Sequence, residues 1–279
     1  MNHFRAIAFV ICITAFGFVQ AADDAIVAKY LANAGVLITQ GETKIVFDPL
    51  FDNNYDFYEL VPKDIEQALF DGRPPFDGVD AIFVSHHHGD HFSPVRMAQL
   101  LQAHPDLQLF GPSQAIDAMP VDKTDPDLRN RMHSVSLDMD SQFSMVVGDI
   151  EVSAIRIRHS GWPDRHAEID NIAFRVSLDD KATVLHMGDA HTDPKMFDRR
   201  ADYWAERHMH LAMPPYWYFM SSGGKKILED HVRADVTVGV HVPANIPDTP
   251  SLYPDELRGR LLFSVPGEEK RIPVAPDAK

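Results

Sequence analysis

The chain has 279 residues, 45% of them hydrophobic, which is enough apolar material for a sizeable core in one or two domains. Its formal charge of −15 leaves no basic face for a phosphate backbone, which argues against nucleic acid as a partner. Cys12 is the only cysteine, so a disulfide framework and a thiolate-rich metal site are both excluded.

In chain order, residues 1–5 form a short positive segment, 6–19 an apolar run and Val19-Gln20-Ala21 a small-residue cleavage site. Together they predict a secretory signal peptide over residues 1–21, and hence a periplasmic or secreted protein. The apolar run is short for a membrane span, so no stable span is expected after cleavage, with an uncleaved anchor as the alternative. Residues 26–31, 36–39 and 44–47 then read as strands, with a turn at 40–42. Asp48 reads as a turn-stabilising carboxylate. The alternative is a hydrogen bond from behind to the histidine-rich loop downstream.

Residues 50–80 make a long connection, with Phe51, Tyr55, Phe57 and Tyr58 near its start and a helix over 63–71 stopped by Gly72. It is either a lid or binding wall, or a surface excursion with its own apolar cluster. An apolar run at 81–84 leads into Ser85-His86-His87-His88-Gly89-Asp90-His91. In extended chain, alternate side chains share a side, so His86, His88 and Asp90 converge while His87 points away. Gly89 permits a tight turn, which brings His91 back from the start of a helix with Ser93 as N-cap and Pro94 as first residue. These nitrogen and oxygen donors suit zinc, and nearly as well manganese or iron. A solvated histidine-rich loop would not require an aspartate directly before its last histidine.

Downstream, the pattern predicts helices over 94–103 and 113–119, a loop over 121–132, and strands over 107–110, 134–137, 142–147 and 150–158. Strands 171–178 and 182–187 form a hairpin, and strands 208–213 and 236–240 bracket a helix over 224–231. Several strands are apolar on both faces, as in Ala81-Ile-Phe-Val84, which implies sheets covered on both sides. Two similar halves of this kind predict an α/β chain in a four-layer αββα sandwich. His159 ends a strand and precedes Ser160-Gly161-Trp162-Pro163, which makes it a better third ligand for a first metal than His166 in the polar loop that follows. His186 alternates to the face opposite Asp189 and reads as a core imidazole. His208 and His210 sit two apart with no carboxylate or histidine following, and are not read as ligands.

His86-x-His88-x-Asp90-His91 resembles the metal motif of the metallo-β-lactamase superfamily. Leu31-Ala-Asn-Ala-Gly-Val-Leu-Ile38 and Lys44-Ile-Val-Phe-Asp-Pro49 are similar to the first strand pair of that family, and the resemblance runs over about 25–265. It implies a hydrolase domain over 22–265, with 266–279 left as a C-terminal tail. It implies His86, His88 and His159 on one divalent metal and Asp90, His91 and His241 on a second, with Asp189 bridging the two beside a water or hydroxide. Zinc is the expected metal, manganese or iron the alternatives. Asp90 and Asp189 are then the catalytic carboxylates, and the expected reaction is hydrolysis of a lactone, ester, amide or phosphoester bond in a small molecule. An iron-dependent oxidoreductase, a sulfur dioxygenase and a metal-binding protein without turnover share the fold as alternatives. The segment Gly35-Val-Leu-Ile38 with Phe47-Asp48-Pro49 looks most similar to the ascorbate-phosphate lactonase and phosphodiesterase-like members. Antibiotic-hydrolysing members commonly lack the bridging aspartate. Trp162, His166, Tyr216 and Trp217 are the candidate substrate contacts, with ordinary loop packing as the alternative for the aromatic ones.

Overall fold

The computed structural model describes residues 25–274, so the expected signal segment lies outside the described residues. Fourteen strands form two seven-stranded sheets. In the first, β1 (Ala25–Ala32), β2 (Gly35–Gln40) and β3 (Thr43–Phe47) form an antiparallel meander, and β4 (Ala81–Phe83), β5 (Gln108–Pro112) and β6 (Met132–Val135) continue it in parallel. In the second, β7 (Gln142–Val147), β8 (Ile150–Arg156), β9 (Ile172–Leu178) and β10 (Ala182–His186) run antiparallel. There β11 (Leu211–Met213), β12 (Val236–Gly239) and β13 (Leu261–Leu262) add on in parallel.

The strands are apolar on both faces because each sheet is buried on both sides. In β3, Ile45 and Phe47 face the central core while Val46 faces outward to helices, and in β4 Ala81 and Phe83 are divided from Ile82 in the same way. The central core between the sheets joins Phe47, Phe83, Phe110, Phe174, Val184 and Val238. A second core packs the first sheet against the helices α1 (Lys63–Phe70), α2 (Pro94–Ala103), α3 (Ser113–Ala118) and α4 (Pro126–Arg131). A third packs the other sheet against α5 (Pro194–Asp198), α6 (Ala201–Glu206) and α7 (Ser222–Ile227). Three cores separate four layers, which is the expected αββα sandwich. Among the described residues no helix is long and apolar enough to cross a membrane.

Three expectations are corrected. The segment read as a loop over 121–132 contains α4, which Asp125 caps by accepting from the Asp127 N–H, with Pro126 in the first turn. Charge concealed that helix because only Leu128 of it is buried. The stretch read as a tail beyond 265 contains β14 (Glu269–Pro273), which pairs antiparallel with β1 and forms the edge of the first sheet. Its pattern is charged because four of its five residues remain outside the core, and only Ile272 is fully buried. Ser93 precedes α2 as expected but makes no capping hydrogen bond, its Oγ turning instead to Asp52.

Candidate metal centre

All of the predicted metal-site residues come together at one end of the sandwich, on loops that leave the C-terminal ends of β4, β8, β10 and β12. The histidine-rich loop follows β4. Within it, His91 and Phe92 both return their N–H groups to the His88 carbonyl, at 3.0 and 2.9 Å. Gly89 does not adopt a positive φ; what it supplies is room, because a Cβ there would lie 3.1 Å from the Asn53 Cβ. Gly188, by contrast, has φ +53°, and a Cβ on it would sit 2.3 Å from Asn171 Oδ1. That requirement for glycine places Asp189, whose N–H donates to the same Asn171 oxygen at 2.8 Å.

Asp189 is the centre of the arrangement. Its Oδ1 lies 3.2 Å from His91 Nε2 and 3.2 Å from His241 Nε2, and its Oδ2 lies 3.3 Å from His159 Nε2 and 4.0 Å from His86 Nε2. One carboxylate thus addresses two imidazole groups with different oxygens. His86 Nε2 faces His88 Nδ1 at 3.1 Å and His159 Nε2 at 3.3 Å, which closes the first group. Asp90 Oδ2 stands 3.2 Å from His241 Nε2 and 3.8 Å from His91 Nε2, which closes the second.

The outward nitrogens fix the tautomers. Ser85 Oγ donates to Asp48 Oδ2 at 2.6 Å, so it accepts from His86 Nδ1 at 3.0 Å. His91 Nδ1 donates to Asp48 Oδ2 at 2.8 Å, and His159 Nδ1 to the Ser160 carbonyl at 2.6 Å. With the proton on Nδ1, each of the three rings in its neutral form presents an Nε2 lone pair to the centre, as a metal ligand must. His91 Nε2, His241 Nε2 and Asp189 Oδ1 are buried and make no well-formed hydrogen bond. Buried polar atoms left in this condition cost free energy unless a cation satisfies them, so the donor set fits divalent metal.

Ionisation follows the same division. Burial and the neighbouring imidazoles hold His86 well below the ordinary histidine range, and burial takes His88 down to about 4. For His91 and His241, burial is outweighed by the Asp189 carboxylate, joined at His91 by Asp90, and both are raised. Burial of Asp189 is outweighed in turn by His241 and His91, which keep it ionised.

The sequence profile of the Beta-lactamase superfamily domain matches residues 43–206, more than half of the chain. The chain belongs to the metallo-β-lactamase superfamily. Among solved structures it is similar to a metallo hydrolase from the hyperthermophilic archaeon Ignicoccus hospitalis, at 16% identity and TM-score 0.56, over 89% of this chain and 98% of that one. It is likewise similar to a possible metal-dependent hydrolase from Veillonella parvula, at 14% identity and TM-score 0.56, over 90% and 99%. A third is CmlA, a diiron β-hydroxylase from Streptomyces venezuelae, at 12% identity and TM-score 0.53, over 90% of this chain but 54% of that one. Comparison with curated proteins gives no significant match.

In this metallo-β-lactamase superfamily chain several supporting residues were not legible from sequence or were read differently. Asp48, read first as a turn residue, lies behind the loop, where it accepts from the Ser85 N–H at 2.7 Å as well as from the Ser85 hydroxyl and His91. Asn33 was not singled out. Its side-chain amide donates to the Asp90 carbonyl at 2.7 Å, and its own carbonyl accepts the His241 N–H at 2.7 Å. Asn33, Asp48 and His241 all have positive φ (51°, 40° and 60°), a clustering of unusual backbone typical of sites under functional constraint. A small polar residue at a strand end, as in Ala32-Asn33-Ala34 or Phe47-Asp48-Pro49, is the only sequence signal for the first two.

His159 lies within the site as expected, but the loop after it does not lead away. His166 comes back to within 4.9 Å of the His88 ring and 4.7 Å of the His159 ring, centroid to centroid. Trp217 stands 5.2 Å and Tyr58 4.2 Å from the His241 ring, and Tyr216 is half-buried beside them. Burial and the Asp189 and Asp90 charges raise the Tyr58 phenol, which therefore stays protonated. The loop carrying Tyr58 is tied to the strand-end loop by the Ala244 N–H donating to the Phe57 carbonyl at 2.9 Å. Trp162 sits farther out, under Arg158. His186 is a core residue, stacked on Phe47 at 4.8 Å with Nε2 donating to the Ala34 carbonyl at 2.9 Å.

Proposed function

We propose that this protein is an exported, dinuclear metal-dependent hydrolase acting on a lactone, ester, amide or phosphoester bond of a small molecule. The observation that carries the reading is the divided carboxylate of Asp189, with Oδ1 toward His91 and His241 and Oδ2 toward His159 and His86. His86, His88 and His159 would hold one ion and Asp90, His91 and His241 the other. Divalent ions in such a site make hydroxide available at neutral pH, the pKa of water falling to about 7, and polarise the attacked carbonyl or phosphoryl oxygen. The chain's own contribution is position. Asp48, Ser85 and the Ser160 carbonyl fix the imidazoles, Asp90 is placed to orient the nucleophile, and Tyr58 and Trp217 stand against the His241 ring on one side. Zinc is the favoured ion.

Metal analysis together with a panel of lactone, phosphodiester and β-lactam substrates tests this reading. Close to two equivalents of metal and turnover of at least one class are expected. Protein supplied with zinc or manganese that never binds more than one equivalent would sink the dinuclear reading. The diiron neighbour favours iron-dependent oxidation as the second reading. Substrate-dependent dioxygen consumption by iron-loaded protein, with no hydrolysis, would select it. Export rests on residues 1–21, and the expected mature protein begins at Ala22. An intact mass from the native host that retains residues 1–21 would remove that part of the proposal.

A further inference from the structure

Arg158 immediately precedes His159, and its half-buried side chain lines a cavity of about 150 Å³ with His159, Trp162, His166, Met139 and Ile169. His159 is shared between this cavity and the metal centre, its Nε2 lying 3.3 Å from Asp189 Oδ2. The cavity therefore opens beside the reacting position. In a chain of net charge −15, guanidinium groups are readily claimed by carboxylates. Arg156, two residues earlier, pairs with Asp170 at 2.5 Å, Arg175 with Glu206 at 2.5 Å, and Arg96 with Asp52 at 2.9 Å. Among the described residues Arg158 has neither an acidic partner nor a side-chain hydrogen bond. Its guanidinium lies over the face of Trp162, with Cζ 3.7 Å from the ring centroid.

Stacking uses the flat face of a guanidinium and leaves the in-plane N–H donors free, in the fork that matches a carboxylate or phosphate. Trp162 therefore holds the cation in place without neutralising it. The lining of the cavity also includes Arg156 and contains no carboxylate, so an anion entering there meets no lining group of its own sign.

We propose that Arg158, held on Trp162, is the anchor for a carboxylate or phosphate carried by the substrate at a distance from the bond being cleaved. This rests on the hydrolase reading and narrows it to small anionic substrates.

The test uses the metal-loaded full chain and p-nitrophenyl monoesters of succinate, glutarate and adipate, each beside its terminal methyl ester, with a matching ester bearing a terminal phosphate. Wild type is expected to favour at least one anionic ester over its neutral partner by about tenfold or more in kcat/KM, chiefly through KM. Carboxylate and phosphate arms show which anion the pocket takes. In Arg158→Met that preference should fall to within about twofold, and Arg158→Lys should restore part of it. Trp162→Leu, which removes the supporting face, should lower the same ratio. A wild-type ratio near one, or an unchanged ratio in Arg158→Met, overturns the proposal.

A second measurement separates this proposal from the hydrolase reading. Binding of glutarate and of its dimethyl ester is followed calorimetrically, with metal content measured on each sample. If no ester is turned over, the hydrolase reading is what fails. Glutarate binding at least tenfold weaker in Arg158→Met than in wild type would still support the anchor. Equal binding at equal metal content would refute it.

Discussion

Two clusters of histidine and aspartate occur at different places in this fold, and both bring three donor atoms within 4.8 Å of one another. One is the centre built on Asp189. The other is His208, His210 and Asp235, before the N-terminal ends of β11 and β12. Proximity does not separate them, but the outward hydrogen bonds do. In the first cluster the outer nitrogens of His86, His91 and His159 donate, which leaves lone pairs facing inward. In the second, His210 Nδ1 accepts the Thr183 N–H at 3.0 Å, so the proton of the neutral ring must sit on Nε2 and no lone pair remains for a metal. His208 Nε2 is engaged by Asp235 Oδ2 at 2.8 Å, and both side chains are exposed. A surface hydrogen bond between His208 and Asp235, together with the Thr183 N–H bond to His210, accounts for the approach of these groups.

The contrast is sharpest at the carboxylate. Asp189→Ala removes the one group that both imidazole sets share. Activity is expected to fall by about 10²–10³-fold or more, and metal content to move from near two toward one equivalent, read by kcat/KM and elemental analysis. A variant that keeps two equivalents and most of its activity would mean that the sets are held together by something else. A smaller effect is expected one layer back. Asp48→Asn keeps the shape but weakens the acceptor for His91 and Ser85, and should cost about 10–100-fold in metal affinity, measured by competition with a chromophoric chelator. The smallest effect belongs to the other cluster. His208→Ala should leave metal stoichiometry unchanged and shift stability by no more than about 0.5 kcal/mol in denaturant unfolding. Loss of a metal equivalent there would show that the tautomer argument had been misapplied.

The same distinction explains what sequence could and could not convey. The spacing of His86, His88, Asp90 and His91 is local, so the pleat and one turn suffice to predict that they converge. His159 stood out because a strand stopped there. Asp48, Asn33 and Asn171 act across long sequence separations, and a lone Asp or Asn at a strand end carries no mark of the partner it will meet. The histidine-rich loop and the strand-end loops could be placed, but not the return of His166 over His88, which depends on the course of an irregular segment with no period to read. For the fold, apolar strands declared themselves on both faces. Helix α4 and strand β14 did not, because each contributes little apolar surface to a core.

The centre is also divided between the two halves of the sandwich. His86, His88, Asp90 and His91 leave the first sheet, whereas His159, Asp189 and His241 leave the second. An ion shared across that seam would act as a clasp between two sheets that also meet through their apolar faces and through hydrogen bonds such as His241 N–H to the Asn33 carbonyl, and it would bind the folded chain far better than the unfolded one. At free metal a thousandfold above the dissociation constant, such a clasp would add about 4 kcal/mol to folding, comparable to a large part of the stability of an ordinary domain. If the centre is filled as proposed, the lifetime of this protein in a metal-poor surrounding would be set by supply of the ion, with proteolysis, rather than lost turnover alone, as the cost of scarcity.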